Sequence, residues 1–563
     1  MAETIAPKTG MAVLMALVML SALIPGCTGP KETAKSPAAA SGASTGNSSV
    51  EKSAAETPQF GTVTFPVSCS APAQEQFNRA VGALHSFFYP ETIKEFERVL
   101  ELDPGCAMAY WGIARSQPPN PLVLPFPPGT FERGAAALAK GKAVGTKTER
   151  ERAWFEALET YFSEYDTVPY EVRVKRYEKA MAQLSQRFPD DTEASIFHAL
   201  ALLESADLHD KSYGNQLKAA EILEKLAPSH PNHPGITHYI IHAYDYPPLA
   251  DRALDAARRY AKIAPDSPHA LHMPSHIFTR LGLWQESIDS NLVSAASAAK
   301  SNAPGNELHA KDYLIYAYLQ GDQDRAAKQA LRSPPAGRPE DPQYMNWLYA
   351  TGASPARYAV ERHQWQEAAA LQVPQHTFPH ERYSWTEANL HFARALGASR
   401  LGDVEAARKD QQQLVSIRDV LVQENNKYWA DQVGIQSEIT VAWVTLAEGK
   451  PTEALQQMRA AADHEDRTDK HNVTPGVILP ARELLGDMLL ELKQPREALT
   501  EYETTLRTAP NRFNALSGAA RAARLSGENQ KAKTYYAKLL ANCEHADGDR
   551  RELQEARNLL AQK

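Results

Sequence analysis

The sequence contains no long run of basic residues. Its 60 Lys and Arg residues stand against 68 Asp and Glu residues, which gives a formal charge of −8 at pH 7. Without a basic stretch to follow a phosphate backbone, we expect no nucleic-acid partner. Hydrophobic residues make up 43% of the 563 positions. A chain of this length and composition can bury a large core, which places it outside the disordered class.

Familiar catalytic motifs are missing as well. The sequence has no G-x-S-x-G elbow, no G-x-x-x-x-G-K-[ST] phosphate loop, no H-E-x-x-H pair and no C-x-x-C pair. The common hydrolase, nucleotide-binding and redox classes therefore lack support, and we expect a binding protein rather than an enzyme, although an unusual site stays open. Alternating strand patterns of useful length are also absent, which favours an all-α fold.

The first 26 residues have the pattern of an export signal. The apolar run from Met11 to Ile24 is too short to span a bilayer, which takes about 20 residues. Gly26 and Cys27 follow it, and this junction resembles the bacterial lipobox. That resemblance implies a signal peptide over residues 1–26, lipidation of Cys27, and a lipid-anchored protein that faces the periplasm. Thr28 behind the cysteine resembles lipoproteins of the outer membrane; the alternative is an ordinary secretory signal with a chance cysteine.

Residues 27–66 differ from the rest of the chain in composition. This stretch is rich in Ala, Ser, Thr, Gly, Lys and Glu and has almost no large apolar residues. Such a composition cannot support a packed core, so we expect a flexible tether behind the lipidated cysteine.

A 34-residue repeat is visible in the C-terminal part. Small residues, tyrosines and prolines fall at fixed spacings there, at Gly486, Ala498, Tyr502, Pro510, Ala532 and Tyr536. A small residue allows two antiparallel helices to cross closely, and a proline ends the pair. The spacing resembles that of tetratricopeptide repeats. The resemblance implies a right-handed helical solenoid, with arrays over residues 67–332 and 388–563 and an irregular Pro-rich connector over residues 333–387.

Two further blocks resemble a group of uncharacterised bacterial repeat proteins. They are CAMAYWGIA at residues 106–114 and HMPSHIFTRLG at residues 272–282. This second resemblance implies no known activity.

Three cysteines remain if Cys27 carries a lipid. Cys69 precedes the first predicted helix pair and Cys106 follows it. Because antiparallel helices bring these two ends together, a Cys69–Cys106 disulfide is expected in an oxidising compartment. The alternative is that both are buried thiols that fill space.

Histidines are concentrated in one short part of the chain. Of the 18 histidines, seven lie within residues 230–276, at positions 230, 233, 238, 242, 269, 272 and 276. His238 and His242 recur 34 residues later as His272 and His276. Each pair has i, i+4 spacing, which places both rings on one helical face.

The resemblance implies where these rings point. In tetratricopeptide repeats the first helix of each unit lines the concave groove, and the two histidine pairs would face it together with His269 and Asp245. His309, Asp312 and Tyr316 repeat the spacing of His269, His272 and His276, so His309 and Asp312 join the candidate set. Pro274 would kink its helix or mark a first turn.

Three interpretations of this histidine block remain open. The imidazoles could form a polar lining bonded to Asp245, Asp312 and tyrosines. They could bind zinc, copper, nickel or iron, since neutral imidazole suits these metals. They could also act as protonated donors to an anionic peptide or small molecule.

The sequence therefore supports two functions. The first is an envelope-anchored scaffold that binds a protein, a peptide or a small ligand in its groove. The second is a histidine-rich metalloprotein built on the same scaffold.

Overall fold

The fold is seen in a computed structural model that describes residues 58–335, 337, 345–373 and 383–561. The signal peptide, Cys27 and residues 27–57 of the tether lie outside the described residues. Within the described ranges all regular structure is helical. No helix in these ranges is long and apolar enough to cross a bilayer. The described residues from Pro58 onward belong to one compact unit.

Between residues 58 and 332 the structure has fifteen α-helices and one short 3-10 turn, Ala250–Ala253. The helices are α1 (Ala71–His85), α2 (Tyr89–Leu102), α3 (Ala107–Arg115), α4 (Thr130–Val144), α5 (Glu149–Phe162), α6 (Tyr170–Arg187), α7 (Thr192–Glu204), α8 (Gly214–Leu226), α9 (Pro234–Tyr244), α10 (Leu254–Ile263), α11 (Pro268–His272), α12 (Pro274–Arg280), α13 (Trp284–Lys300), α14 (Pro304–Gln320) and α15 (Asp324–Arg332).

Eleven further α-helices lie within residues 345–373 and 383–561. They are α16 (Met345–Val360), α17 (Trp365–Ala369), α18 (Trp385–Arg400), α19 (Val404–Gln423), α20 (Lys427–Ala447), α21 (Pro451–Glu465), α22 (Ala481–Glu491), α23 (Pro495–Thr508), α24 (Phe513–Leu525), α25 (Asn529–Asn542) and α26 (Arg551–Ala561).

Neighbouring helices pack against each other along the chain, as an all-α helical repeat solenoid requires. The predicted close crossings are present. A Cβ atom on Gly486 would lie 2.8 Å from the ring of Tyr502, and one on Gly518 would lie 2.3 Å from the same ring. Only glycine fits at these two positions unless the tyrosine moves. The all-α repeat fold predicted from the sequence is therefore confirmed.

The structure corrects two predicted boundaries. Residues 58–66 are not a tether, because Phe60 and Phe65 are buried and the Phe65 ring packs on Trp111 and Trp154. Residues 345–373 are not an irregular connector, because α16 packs between α14 and α18. The prolines misled the prediction there: Pro355 lies inside α16, where the helix continues past it.

The cysteines flank the first helix pair. Cys69 and Cys106 form a disulfide with a Cα–Cα distance of 5.1 Å, since the pair α1 and α2 returns the chain to its starting point. Cys543 is a buried free thiol, and burial raises its pKa to about 12. That thiol is therefore protonated and unreactive at neutral pH.

A connecting segment from the C-terminal half contacts the histidine-bearing helices of the N-terminal half. Residues 467–480, which connect α21 to α22, lie over the histidine-bearing helices; we call them the cover segment. Tyr313 on α14 donates to the Thr474 carbonyl at 2.9 Å, and Lys470 reaches Asp245 after α9. The candidate histidines are thus buried rather than exposed to an open groove.

Candidate metal centre

Helix α9 carries the first pair of imidazoles. Pro234 begins the helix at a position where its missing N–H is not needed, and the His233 ring caps it by accepting from the Ile236 N–H. His238 and His242 follow one turn apart on the buried face. Their Nε2 atoms lie 3.1 Å from each other.

The second pair spans a helix junction. His269 and His272 lie on α11, and His276 lies on α12. Met273 at the junction keeps helical dihedral angles, and Pro274 starts the second helix. The junction does not separate the rings, because the Nε2 atoms of His272 and His276 lie 3.1 Å apart.

Helix α14 supplies the sixth imidazole but not the predicted carboxylate. The ring of His309 lies 4.4 Å from that of His272, measured between centroids. Asp312 points elsewhere and accepts from Ser354 at 2.8 Å, and Tyr316 contacts Arg512 instead. The prediction that Asp312 is a ligand or a supporting residue of this cluster is therefore wrong. The physical reason is register: α13 runs for 17 residues, and Tyr313 takes the place one turn after His309.

The six imidazoles form two groups of three. His238, His242 and His269 make the first group, and His272, His276 and His309 make the second. In each group one nitrogen per ring lies within 4.8 Å of the other two, which makes the group a candidate ligand set for one ion. Of the eight candidates that the sequence register predicted, the structure brings six together, and Asp245 lies beside them.

The hydrogen-bond partners of Nδ1 fix which nitrogen carries the proton in three of the rings. Nδ1 of His238 lies 2.6 Å from the His85 carbonyl oxygen, and Nδ1 of His276 lies 2.9 Å from the Asp245 carboxylate. Nδ1 of His272 lies 2.6 Å from Asn291 Oδ1, because the Asn291 amide donates its N–H to the Ser287 carbonyl. Carbonyl and carboxylate oxygens only accept, so each Nδ1 carries the proton. Each neutral ring then has a bare lone pair on Nε2.

Two of these lone pairs face each other. His272 and His276 both have Nε2 unprotonated, yet the two atoms are 3.1 Å apart with no hydrogen between them. Two lone pairs at this distance repel unless a cation or an extra proton lies between them. Two nitrogens bound to one ion at its usual bond length and a tetrahedral angle would be about 3.3 Å apart. The spacing therefore matches that of a shared metal ion.

An extra proton is disfavoured by the surroundings. All six rings are buried, with at most 8% of any residue exposed. Burial lowers the pKa of His276, and Lys470 and Arg280 lower it further, against the opposite effect of Asp245. Burial also holds the pKa of His272 and His309 well below its usual range. The imidazoles are neutral at pH 7, so they offer lone pairs rather than positive charge.

Asp245 links the second group to two cations. It accepts from Arg280 Nε at 2.8 Å and from Lys470 Nζ at 2.8 Å, in addition to the His276 ring. Burial alone would raise the pKa of Asp245, but Lys470 and Arg280 hold it well below its usual range. The carboxylate is ionised and orients His276, as the sequence suggested for a supporting residue.

A separate histidine cluster lies next to the first group. Glu193 on α7 accepts from His85 Nε2 at 2.9 Å and from His233 Nε2 at 2.8 Å. His85 Nδ1 in turn accepts from the Tyr239 hydroxyl at 2.9 Å, and His233 Nδ1 accepts from the Ile236 N–H. Every nitrogen has a complementary partner, so this cluster is complete without an ion.

Several residues around the centre had no recognisable pattern in the sequence. Lys470 and Arg280 are distant in sequence from Asp245, and Asn291 lies on α13 without a motif. Phe87, with φ of +51°, stacks on the rings of His242 and His269. A bulky residue with positive φ is strained, and such strain persists only where packing enforces it.

Comparisons with known proteins leave the family open. No family model matches the sequence, and no curated protein sequence matches it. A solved structure described as Naa15/Naa10 bound to HypK-THB aligns at 12% identity over 87% of this chain and 74% of that chain, with a TM-score of 0.23. At that TM-score the likeness carries no argument about function or partner.

Proposed function

We propose that this protein binds transition-metal ions at two adjacent three-histidine sites that a helical repeat scaffold holds in its interior. The observation that carries the proposal is the facing pair of unprotonated Nε2 atoms on His272 and His276. A buried pair of this kind lacks a favourable interaction until a cation joins it. The outer hydrogen bonds from Nδ1 to His85, Asn291 and Asp245 have the pattern that orients metal-bound histidines.

The polar-lining interpretation explains less of the geometry. A lining of hydrogen-bonded histidines needs each N–H to face a lone pair, as in the Glu193 cluster. The interpretation as a site for an anionic ligand needs protonated rings, but burial lowers the pKa of all six histidines. Metal binding requires neutral imidazoles, which is the form that burial favours.

Metal content of the purified protein tests the proposal. Wild-type protein isolated from its own compartment, without a histidine tag, is expected to contain zinc, copper, nickel or iron by elemental analysis. The His391→Ala variant serves as the matched control, because His391 pairs with Asp410 far from the centre along the chain. Wild-type protein that stays metal-free after dialysis against each of the four ions would refute the proposal.

The scaffold function is a second candidate, which the repeat architecture supports in general terms. Stacked helix pairs present extended surfaces that suit a protein partner. The histidine-bearing faces of the helices cannot serve as that surface, because the six rings are buried and the cover segment contacts the residues beside them. A protein partner would therefore bind elsewhere on the solenoid, whose repeats resemble those of the tetratricopeptide family.

Attachment to the cell envelope is proposed from the sequence alone. The apolar run ending at Ile24 and the junction of Gly26 with Cys27 support a lipid anchor. Cys27→Ala is expected to move the protein from the membrane fraction to the soluble fraction, as judged by immunoblotting. Membrane association of a Cys27→Ala protein whose N-terminus is still cleaved would contradict the anchor.

A further inference from the structure

We infer that the two histidine groups hold a pair of copper ions as one dinuclear centre, rather than two independent sites. This inference rests on the proposed metal-binding function and deepens it. It assigns the number of ions, their identity and the class of external ligand, which is a small anion that bridges the pair in its oxidised state.

The first argument is the closeness of the two groups. Rings of different groups approach each other directly: the centroids of His242 and His276 are 6.0 Å apart, and those of His269 and His272 are 6.2 Å apart. These distances resemble those within one group, where His242 and His269 are 6.4 Å apart. Ions held by the two groups would therefore be neighbours that share one electrostatic environment.

The second argument is the donor set. Both groups consist of imidazole nitrogens alone, with no carboxylate or thiolate among the candidate ligands. Hard ions such as magnesium, calcium and manganese prefer oxygen ligands, and non-haem iron is usually held with carboxylates. Among the ions that suit imidazole, copper binds most tightly in the general order of divalent metals.

The third argument is charge. Six neutral imidazoles contribute no negative charge, and Asp245 already faces both Arg280 and Lys470. Two divalent ions would add four positive charges to a buried region that already has an excess of cations. Copper is stable as a monovalent ion and halves this charge. In the divalent state, a small anion between the ions would offset part of the excess.

The fourth argument is restricted access. The Phe87 ring lies against the first group. Its centroid is 4.5 Å from that of the His238 ring and 5.6 Å from that of the His269 ring. The Tyr313 ring lies over the second group, at 4.6 Å from His272 and 5.0 Å from His276. The Tyr313 hydroxyl donates to the Thr474 carbonyl, so its proton is committed. Because these aromatic rings limit the access of water, they favour a copper ion that needs only three protein ligands. Zinc, in contrast, takes a fourth ligand.

Anaerobic copper titration of the full chain tests the inference. Wild-type protein, stripped of metal, is titrated with Cu(I) against a chromogenic chelator and separately with Zn(II). We expect two copper ions per chain bound in one cooperative step, at least ~10-fold tighter than zinc. Loading with Cu(II) is expected to give a weak or silent electron paramagnetic resonance spectrum, because the spins of a bridged pair couple. Azide serves as the probe for the bridging anion, and it should shift the absorption spectrum of the Cu(II)-loaded protein.

Single-group variants separate this inference from the proposed function. His269→Ala removes a ligand of the first group only, and His309→Ala removes one of the second only. Each variant is expected to bind both copper ions at least ~10-fold more weakly than the wild type. Its electron paramagnetic resonance spectrum with Cu(II) should be that of a mononuclear site. Circular dichroism, with His391→Ala as the control, verifies that each variant is folded.

The outcomes are distinct. Two strong mononuclear Cu(II) spectra in the wild type, or loss of one ion with the other unaffected in each variant, would overturn the dinuclear centre and leave metal binding intact. Tighter binding of zinc than of copper would overturn the identity of the ion. No binding of either metal by folded wild-type protein would overturn the inference together with the proposed function.

Discussion

Two buried histidine clusters lie side by side in this protein and differ in how their hydrogens are placed. Around Glu193, each N–H of His85 and His233 faces an oxygen, and each lone pair receives a hydrogen. In the six-histidine cluster, the Nδ1 hydrogens of His238, His272 and His276 are directed outward. The Nε2 lone pairs of His272 and His276 face each other at 3.1 Å. Both clusters meet a distance criterion for metal binding, but only one leaves lone pairs without hydrogens. Accounting for hydrogens therefore discriminates where distance does not.

The largest expected effect comes from breaking the six-histidine cluster on both sides. The double variant His242→Ala, His276→Ala removes one ligand from each group and should lower metal affinity by roughly 1,000-fold or more, beyond the effect of a supporting residue. Helicity should change little, because alanine favours helix. Elemental analysis and circular dichroism measure the two properties. Retention of metal by the variant, or a loss of several kcal/mol of stability in its place, would favour a structural lining.

The complementary change breaks the Glu193 cluster. Glu193→Ala leaves the N–H groups of His85 and His233 without acceptors in a buried region. We expect the free energy of unfolding to fall by about 2–5 kcal/mol, from the cost of two unsatisfied donors and a cavity. Denaturant titration of the metal-free protein measures this change. Metal stoichiometry should stay at the wild-type value, and a variant that folds but binds no metal would contradict the separation of the two clusters.

A smaller effect is expected from the support behind one ligand. Asn291→Ala removes the oxygen that accepts from Nδ1 of His272 but leaves all six imidazoles in place. Metal affinity should fall about 10–100-fold. Ser294→Ala is the matched control, because Ser294 is buried one turn later on the same helix and donates to the Pro268 carbonyl. Equal effects of the two variants on competition titrations would argue against a specific role for Asn291.

The smallest effect concerns acid stability of the Glu193 cluster. Burial alone would raise the pKa of Glu193, but His233 and His85 hold it far below its usual range. A carboxyl with a lowered folded pKa stabilises fully above its unfolded value of about 4.3 and loses that contribution as the pH falls. The stability advantage of wild type over Glu193→Gln should therefore shrink below pH ~4.3, by up to ~1.4 kcal/mol per pH unit. Parallel stability curves from pH 5 to pH 3 would contradict this assignment.

The repeat register accounts for what the sequence could predict. His238, His242, His272 and His276 were found because equivalent positions in adjacent repeats recur every 34 residues, and the structure brings them together. Asp312 was assigned by extending that register across α13, whose length shifts the next helix. Local periodicity therefore predicts positions on neighbouring helices and fails where the spacing between helices changes.

Contacts from distant parts of the chain could not be predicted in this way. Lys470 reaches Asp245 across 225 positions, and Glu193 reaches His85 across 108. These contacts depend on how the cover segment and the helical layers fold back on one another, which no local pattern encodes. The prolines around α16 had the opposite effect, since they suggested irregular structure where a helix forms.

The cover segment also has a consequence for the rates of metal exchange. Since all six imidazoles are buried beneath the protein's own chain, an ion enters or leaves only when part of that chain opens. The rate of exchange would then follow the frequency of local opening, whatever the affinity of the six nitrogens. Variants of the cover segment that speed its amide hydrogen exchange should also speed the release of bound metal to an external chelator. A protein of this kind would retain its ions through slow dynamics, even in surroundings that compete strongly for them.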